Sequence, residues 1–124
     1  MTNELKPNLS ASSVVAPPPS AILDSGATGT FVARQHIPCL RHTNAISNGP
    51  TVLSASGTPM HSQLKGTLPL SPLLSSTAQS AFVLDDLRTG TLVSLAQLCD
   101  DDCIAIFDKY EVKILKHNEI IITG

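Results

Sequence analysis

Short apolar runs, each followed by turn-forming residues, are the main pattern along this chain. The runs are rich in Val, Ile, Leu and Phe, which is typical of β-strands. The pattern predicts seven or eight short strands, among them residues 20–23, 30–33, 81–84 and 120–122. Good helix formers at Leu95–Cys99 predict one short helix. The fold is therefore predicted to be mainly β.

Two stretches have the pattern of β-hairpins. In residues 51–70, two apolar runs flank Ala55-Ser56-Gly57, and Ser-Gly between such runs is a turn signal. Pro59 has no N–H to donate, so we expect it at the turn or at a sheet edge. Residues 104–107 and 111–115 are predicted to form the second hairpin around a polar turn.

The ends and connections are more polar than the runs. Residues 1–19 are largely aperiodic and contain Pro17–Pro19, which predicts a flexible leader before a domain over residues 20–124. Residues 34–50 contain two prolines and several polar turn formers, so we expect a loop there.

Composition narrows the class of protein. The chain has 124 residues, of which 42% are hydrophobic, and this is enough for one small core. Its net charge of −2 argues against nucleic-acid binding. Charged residues make up only 15%, so part of the surface is expected to be covered in an oligomer. Three cysteines without a secretory signal pattern predict an intracellular protein with reduced thiols. No apolar run approaches the roughly 20 residues of a membrane span.

The stretch Ile22–Thr28, which reads Ile-Leu-Asp-Ser-Gly-Ala-Thr, is the most informative for chemistry. An apolar strand delivers the carboxylate of Asp24 into a turn, where Ser25 can bond locally and Gly26 allows another backbone to approach. Taken alone, Asp-Ser-Gly after a strand is most often a simple turn. The wider sequence favours a catalytic role.

Residues 21–28 resemble the active-site strand and loop of retropepsin-like aspartic proteases, and in particular those of copia-type retrotransposon Gag-Pol polyproteins. Residues 92–100, Leu-Val-Ser-Leu-Ala-Gln-Leu-Cys-Asp, are similar to the Leu-Ile-Ser-(Ile/Val)-Gly-Gln-Leu-Cys-Asp stretch that follows the protease core in those elements. Residues 52–70 resemble the flap hairpin of the family and its return strand, and residues 120–124 resemble its ending. The resemblance thus spans residues 21–124 in order, and it implies a small retropepsin-like β-barrel subunit.

The resemblance implies an aspartic endopeptidase that cleaves the retrotransposon polyprotein and works without a cofactor or metal. Such proteases need two carboxylates that share a proton, and this chain supplies only Asp24 in the motif. A homodimer with one catalytic Asp24 per chain is therefore expected, with the site on its two-fold axis. Residues 120–122 are the predicted dimer strands, because termini interleave in related proteases. The resemblance also places the protein in the cytoplasm or in a virus-like particle, without nucleic-acid or membrane partners for this domain.

The same resemblance suggests roles around Asp24. Ser25 would hydrogen-bond across the dimer, and Gly26 would leave room for substrate backbone. Ala27 and Thr28 would support the active-site loop. Ser56 and Gly57, at the tip of the predicted flap, would close over an extended peptide by β-addition.

Departures from the family pattern leave a second hypothesis open. Ala96 stands where the family usually has Gly, and its methyl group is expected to crowd the turn behind the active-site loop. Ala55-Ser56-Gly57 replaces the more usual Pro-Asn-Gly. The alternative function is an inactive, transposon-derived domain that serves as a dimerisation or peptide-binding module.

Other candidate residues carry weaker signals. Cys99 and Cys103 have a C-x3-C spacing, but a second paired ligand set is missing, so a buried or half-buried thiol at Cys99 is the favoured interpretation. A zinc site from His36, Cys39 and His42 is a minor alternative. His61 and His117 are expected at the surface.

Overall fold

The computed structural model describes residues 2–7, 21–54 and 56–124, and these residues form a mainly β structure as predicted. They contain twelve strands, one α-helix and one 3-10 helix. The strands are, in chain order, β1 (Thr2–Pro7), β2 (Ala21–Asp24), β3 (Thr30–Ala33), β4 (Arg41–Ala45), β5 (Thr51–Leu53), β6 (Pro59–His61), β7 (Leu64–Thr67), β8 (Ser80–Leu84), β9 (Leu92–Ser94), β10 (Cys103–Phe107), β11 (Val112–Lys116) and β12 (Glu119–Thr123). Helix α1 spans Leu95–Cys99, and the 3-10 helix spans Arg34–Cys39.

Ten of the strands form one sheet, in the order β10-β11-β12-β1-β2-β9-β3-β8-β7-β4. The other two, β5 and β6, form a separate hairpin that confirms the prediction for this part of residues 51–70. A barrel closes only when its two end strands pair. Within the described residues β10 and β4 remain the ends of an open sheet, so the predicted closed barrel is not confirmed.

Alternating side chains of the sheet build the core. β11 and β2 show the period-2 burial of half-buried strands, whereas all four residues of β3 are buried. β3 pairs with β8 in parallel, and strands inside such sheets are apolar on both faces. The main cluster consists of aliphatic side chains, as expected from the near absence of aromatic residues; its fully buried members include Leu23, Val32, Leu68, Leu70, Val93, Leu98, Val112, Ile114 and Ile122.

Strand β9 lies between β2 and β3 and thereby positions the Asp24 loop. β2 pairs with β9 in parallel, with Asp24 opposite Ser94, while β3 runs antiparallel to β9. The connection from β2 to β3, residues 25–29, therefore passes over the end of β9. The two stretches that carry the family resemblance, residues 21–28 and 92–100, are neighbours in this arrangement.

The predicted leader contains a strand. β1 pairs antiparallel with β2 through residues 2–5 and with β12 through Lys6 and Pro7, so this part of residues 1–19 is not an unpaired leader. Its polar composition concealed the strand, because the pairing is supplied by two distant segments. Residues 8–19 lie outside the described residues.

Residues 120–122, which are the predicted dimer strands, lie in β12. Within the chain, β12 pairs with β11 on one side, and its residues Ile122 and Thr123 pair with β1 on the other. Ile121 and Ile122 are buried in the core of their own chain. An apolar terminal strand is equally compatible with an internal and an intermolecular position, and here the chain's own β1 pairs with the last part of the second edge.

The prediction of a loop over residues 34–50 is also wrong in part, because the 3-10 helix and β4 lie there. Pro38 inside the helix and the polar residues of β4 masked both elements. By contrast, α1 has the predicted bounds, and β10 and β11 form the predicted second hairpin. Pro59 is the first residue of β6, where it was expected.

Candidate active site

Asp24 is the last residue of β2, and its side chain forms a tight turn with the residues that follow. The N–H of Gly26 donates to Oδ1 of Asp24 at 2.8 Å, as expected for an Asp that follows a strand. This hydrogen bond fixes the carboxylate of Asp24 at the start of the loop.

Ser94 fastens the loop after Asp24 from the neighbouring strand. Its hydroxyl donates to the carbonyl of Ala27 at 2.7 Å and accepts the N–H of Gln97 at 3.1 Å, so the same oxygen caps α1. Its backbone N–H donates to Oγ1 of Thr30 at 3.1 Å. Ser94 and Thr30 are both buried. Sequence reasoning missed Ser94, although a Ser directly before a run of helix formers is a cap signal.

A cleft of about 1000 Å³ lies between the Asp24 loop and the β5–β6 hairpin. The predicted site residues that line it are Asp24, Gly26, Ala27, Thr28 and Ser56. Apolar side chains from four strands line it as well, namely Phe31, Val52, Leu53, Met60 and Leu92. A carboxylate beside an apolar cleft, under a hairpin, can hold an extended peptide next to an acid–base group.

Two of the predicted site residues lie beside the cleft without lining it. Ser25 is exposed next to Asp24, and Gly57 is exposed at the hairpin tip. Gly57 has a φ of 83°, a left-handed conformation that favours glycine.

Hydroxyl groups organise the hairpin tip. The N–H of Thr58 donates to Oγ of Ser54 at 3.1 Å, and that hydroxyl also lies 2.9 Å from Oγ of Ser56. The N–H of Gly57 donates to the carbonyl of Ser54 at 2.9 Å. These groups hold the tip of the hairpin together at the position where the family more usually has Pro-Asn-Gly.

The connection between β8 and β9 forms the third wall of the cleft, through Asp86, Leu87, Arg88 and Thr89. Sequence reasoning did not single out these residues. Charged residues between two strands are typical of any solvated loop, so the sequence held no signal that this loop faces Asp24.

Behind the cleft, Thr91 ties three elements together. Its carbonyl accepts the N–H of Ile22, and its hydroxyl accepts the N–H of Ala33 at 3.1 Å. Nδ1 of His36 lies 2.7 Å from the same hydroxyl. His36 is buried, and this burial lowers the pKa of its imidazole below 6.5. The histidine is therefore neutral, and it supports Thr91, which directly precedes β9.

This burial predicts a loss of stability in mild acid. Because the pKa of His36 is lower in the fold than in the unfolded chain, stability is complete above pH 6.5 and declines as the pH falls toward the lowered value. We expect the Tm of the wild type to fall between pH 7.5 and pH 5, and His36→Gln to show a smaller fall. His61→Gln, at an exposed histidine, is the control and should keep the slope of the wild type. Equal slopes for all three proteins would contradict this role of His36.

The histidines and cysteines considered as metal ligands differ in how far they are buried. Cys99 is exposed, so the prediction of a buried or half-buried thiol there is wrong, and Cys103 is the buried one of the two. Burial raises the pKa of the Cys103 and Cys39 thiols, which disfavours the thiolate form. In the part of the chain that the structure describes, no three His, Cys, Asp or Glu residues are grouped for a metal ion. His61 and His117 are exposed, as predicted.

Comparisons with models of protein families, with curated proteins and with solved structures find no match for this chain. Among the described residues no helix has the length and apolar character to cross a membrane.

Proposed function

We propose that this chain is one subunit of a retropepsin-like aspartic endopeptidase, which cleaves polypeptide as a homodimer with one Asp24 from each copy. The cleft that joins the Asp24 loop to the β5–β6 hairpin carries this proposal. The polyprotein of a copia-type retrotransposon is the proposed substrate, on the basis of the sequence resemblance.

The hairpin and the apolar lining support an extended peptide as the ligand. β5 and β6 pair only with each other in the described residues, so their backbone and the tip near Ser56 can accept a peptide strand. Leu53 is 68% exposed although it lines the cleft, and a bound peptide would cover it. Apolar side chains of the substrate would occupy the space around it.

The chemistry requires a second carboxylate close to the first. Asp86 also lines the cleft, but no hydrogen bond joins it to Asp24. A second copy would supply the missing group, so that one Asp24 takes a proton from water while the other donates a proton to the scissile carbonyl. The carboxylate of each Asp24 lines the cleft, where this shared proton would lie.

Gly26 fits the same proposal. A Cβ added at Gly26 would lie 3.4 Å from Oδ1 of Asp24, an ordinary contact, so the chain's own packing does not demand glycine here. The missing side chain leaves room for the substrate backbone, which is the role that the resemblance suggests for Gly26.

Ala96 does not stand against activity. The sequence predicted that its methyl group would crowd the turn behind the active-site loop. In the structure Ala96 is exposed on α1, and the residue that contacts the loop is Ser94. The exposed position of Ala96 thus gives no support to the inactive, dimerising or peptide-binding domain, which stays the alternative function that a cleavage assay distinguishes.

The test measures peptide cleavage and sedimentation over one concentration series. We expect specific activity to fall steeply on dilution as dimers dissociate, since two copies of Asp24 must meet.

A statine-type transition-state mimic should inhibit cleavage, and the pH–rate profile should be bell-shaped with its maximum on the acid side of neutrality. Specific activity that does not depend on concentration in a monomeric protein would overturn the shared site. Inhibition by chelators with indifference to the mimic would overturn the aspartic mechanism.

A further inference from the structure

Most of the large apolar side chains that the described residues expose lie at one end of the ten-stranded sheet. Five of the seven belong to residues 104–120, namely Ile104, Ile106, Phe107, Tyr110 and Ile120. Ile104 is 61% exposed and Ile106 is 50% exposed, both on the outer face of β10. Leu115 lies beside Ile104 in the adjacent strand and continues this apolar face. Contiguous exposed apolar surface of this kind marks an interaction site.

The same strand is an end of the sheet. In the described part of the chain β10 pairs with β11 alone, so its outer edge presents backbone groups. Proteins usually protect such edges with charged residues, proline or irregular pairing. β10 reads Cys-Ile-Ala-Ile-Phe and has none of these features.

The opposite end of the sheet shows the usual protection. β4 contains Arg41 and is mostly exposed and polar, and its register with β7 shifts between Arg41 and Asn44. His42 there has a φ of 52°, which bends the strand. The contrast between the two ends indicates that the unprotected edge of β10 has a partner.

We propose that β10 pairs antiparallel with β10 of a second copy of this chain. A two-fold axis through Ala105 places Ile104 opposite Ile106 of the second copy, and the reverse, so each copy contributes one half of two identical apolar pairs. A second copy fits this strand because, under the two-fold symmetry, each exposed isoleucine of one copy lies opposite an exposed isoleucine of the other.

The charge distribution agrees with this choice of partner. β10 carries no charge, so two copies meet without repulsion along the strand, and the chain as a whole has a net charge of only −2. Within residues 102–108 charges lie only at the flanks, where Asp102 would face Asp108 of the second copy; in the adjacent strand Lys113 lies beside Ile106. Both aspartates are exposed, so salt screens them, and association should strengthen as salt is added.

This interface is separate from the one required by the proposed function and does not depend on it. If both exist, the wild type forms assemblies larger than a dimer, and loss of the β10 contact leaves the Asp24 dimer. If the proposed protease dimer does not form, loss of the β10 contact leaves a monomer. In either case, loss of the β10 contact lowers the mass of the largest assembly that forms.

The experiment uses Ile104→Lys and Ile106→Glu in the full chain, with assembly mass measured by sedimentation over a concentration series. Each single variant should raise the concentration needed for half-association by roughly tenfold or more, since every substitution alters two cross-strand pairs. Far-UV circular dichroism and Tm establish that each variant is folded. Leu73→Lys, at an apolar residue that is 47% exposed elsewhere on the surface, is the matched control and should assemble as the wild type does.

Mixing the two variants tests the register. In a mixed pair the introduced lysine faces the introduced glutamate, while Ile106 of one copy still faces Ile104 of the other, so association should return. A mixture of Ile104→Lys with Ile106→Lys places two positive charges opposite each other and should not associate. Unchanged assembly of folded single variants would overturn the interface. Failure of the complementary mixture to associate would overturn the antiparallel register on Ala105.

Discussion

Replacing Asp24 with Asn is expected to abolish peptide cleavage while leaving the fold intact. The amide cannot take a proton from water, and both halves of the proposed shared site lose their carboxylate at once. We expect turnover to fall by roughly 10³-fold or more. Oδ1 of Asp24 accepts the N–H of Gly26, and the amide oxygen of Asn can accept the same bond, so the Tm should stay within a few degrees of the wild type.

The matched control for this variant is Asp86→Asn. Asp86 lines the same cleft, and its replacement makes the same change of charge without touching the proposed shared proton. We expect turnover within about tenfold of the wild type, since an exposed charge on the wall affects binding more than the chemical step. Cleavage of a peptide panel by purified Asp24→Asn at the rate of the wild type would remove the basis of the proposed function.

The second large effect is expected at Ser94. Ser94→Ala leaves the carbonyl of Ala27 and the N–H of Gln97 without their hydroxyl partner. Loss of the helix cap together with a buried loop contact should lower the free energy of unfolding by about 2 kcal/mol. Because Ala27 follows Asp24 closely, cleavage should decrease more than the folded fraction does, and this difference is measured by urea denaturation and kinetics on the same samples.

Ser62→Ala separates the loop effect from a general loss of a buried hydroxyl. Ser62 is as buried as Ser94, and its hydroxyl donates to the carbonyl of Leu64 at 2.9 Å, away from the Asp24 loop. We expect a loss of about 1 kcal/mol with unchanged turnover per folded molecule. If Ser94→Ala and Ser62→Ala reduce turnover to the same extent, Ser94 has no special role in positioning the loop.

Several local elements were predictable because their signals lie within a few residues. Helix α1 begins directly after an apolar strand and consists of good helix formers, and its bounds were predicted. The β5–β6 hairpin follows from two runs around Ser-Gly. Asp24 was identified from the local sequence Asp-Ser-Gly together with the resemblance, and the structure places it at the edge of a cleft.

Pairing between distant segments was not predictable in this way. A polar strand such as β1 or β4 has no apolar alternation of its own, so only its neighbours make it a strand. The dimer role of residues 120–122 stays a prediction, because an apolar strand fits a core and an interface equally well. The pairing of Ile122 and Thr123 with β1 could not be predicted, since β1 lies more than 100 positions earlier in the chain.

The sequence by itself determined the mainly β class, the helix over Leu95–Cys99 and the candidate carboxylate of Asp24. These depend on residue type and on short spacing, which act over a few residues. Only the tertiary structure decided that Ser94 supports the Asp24 loop, that residues 86–89 form a wall of the cleft, and that β10 is an unprotected edge. Each of these features arises from contacts between segments far apart in sequence, and such contacts are set by how the whole sheet packs.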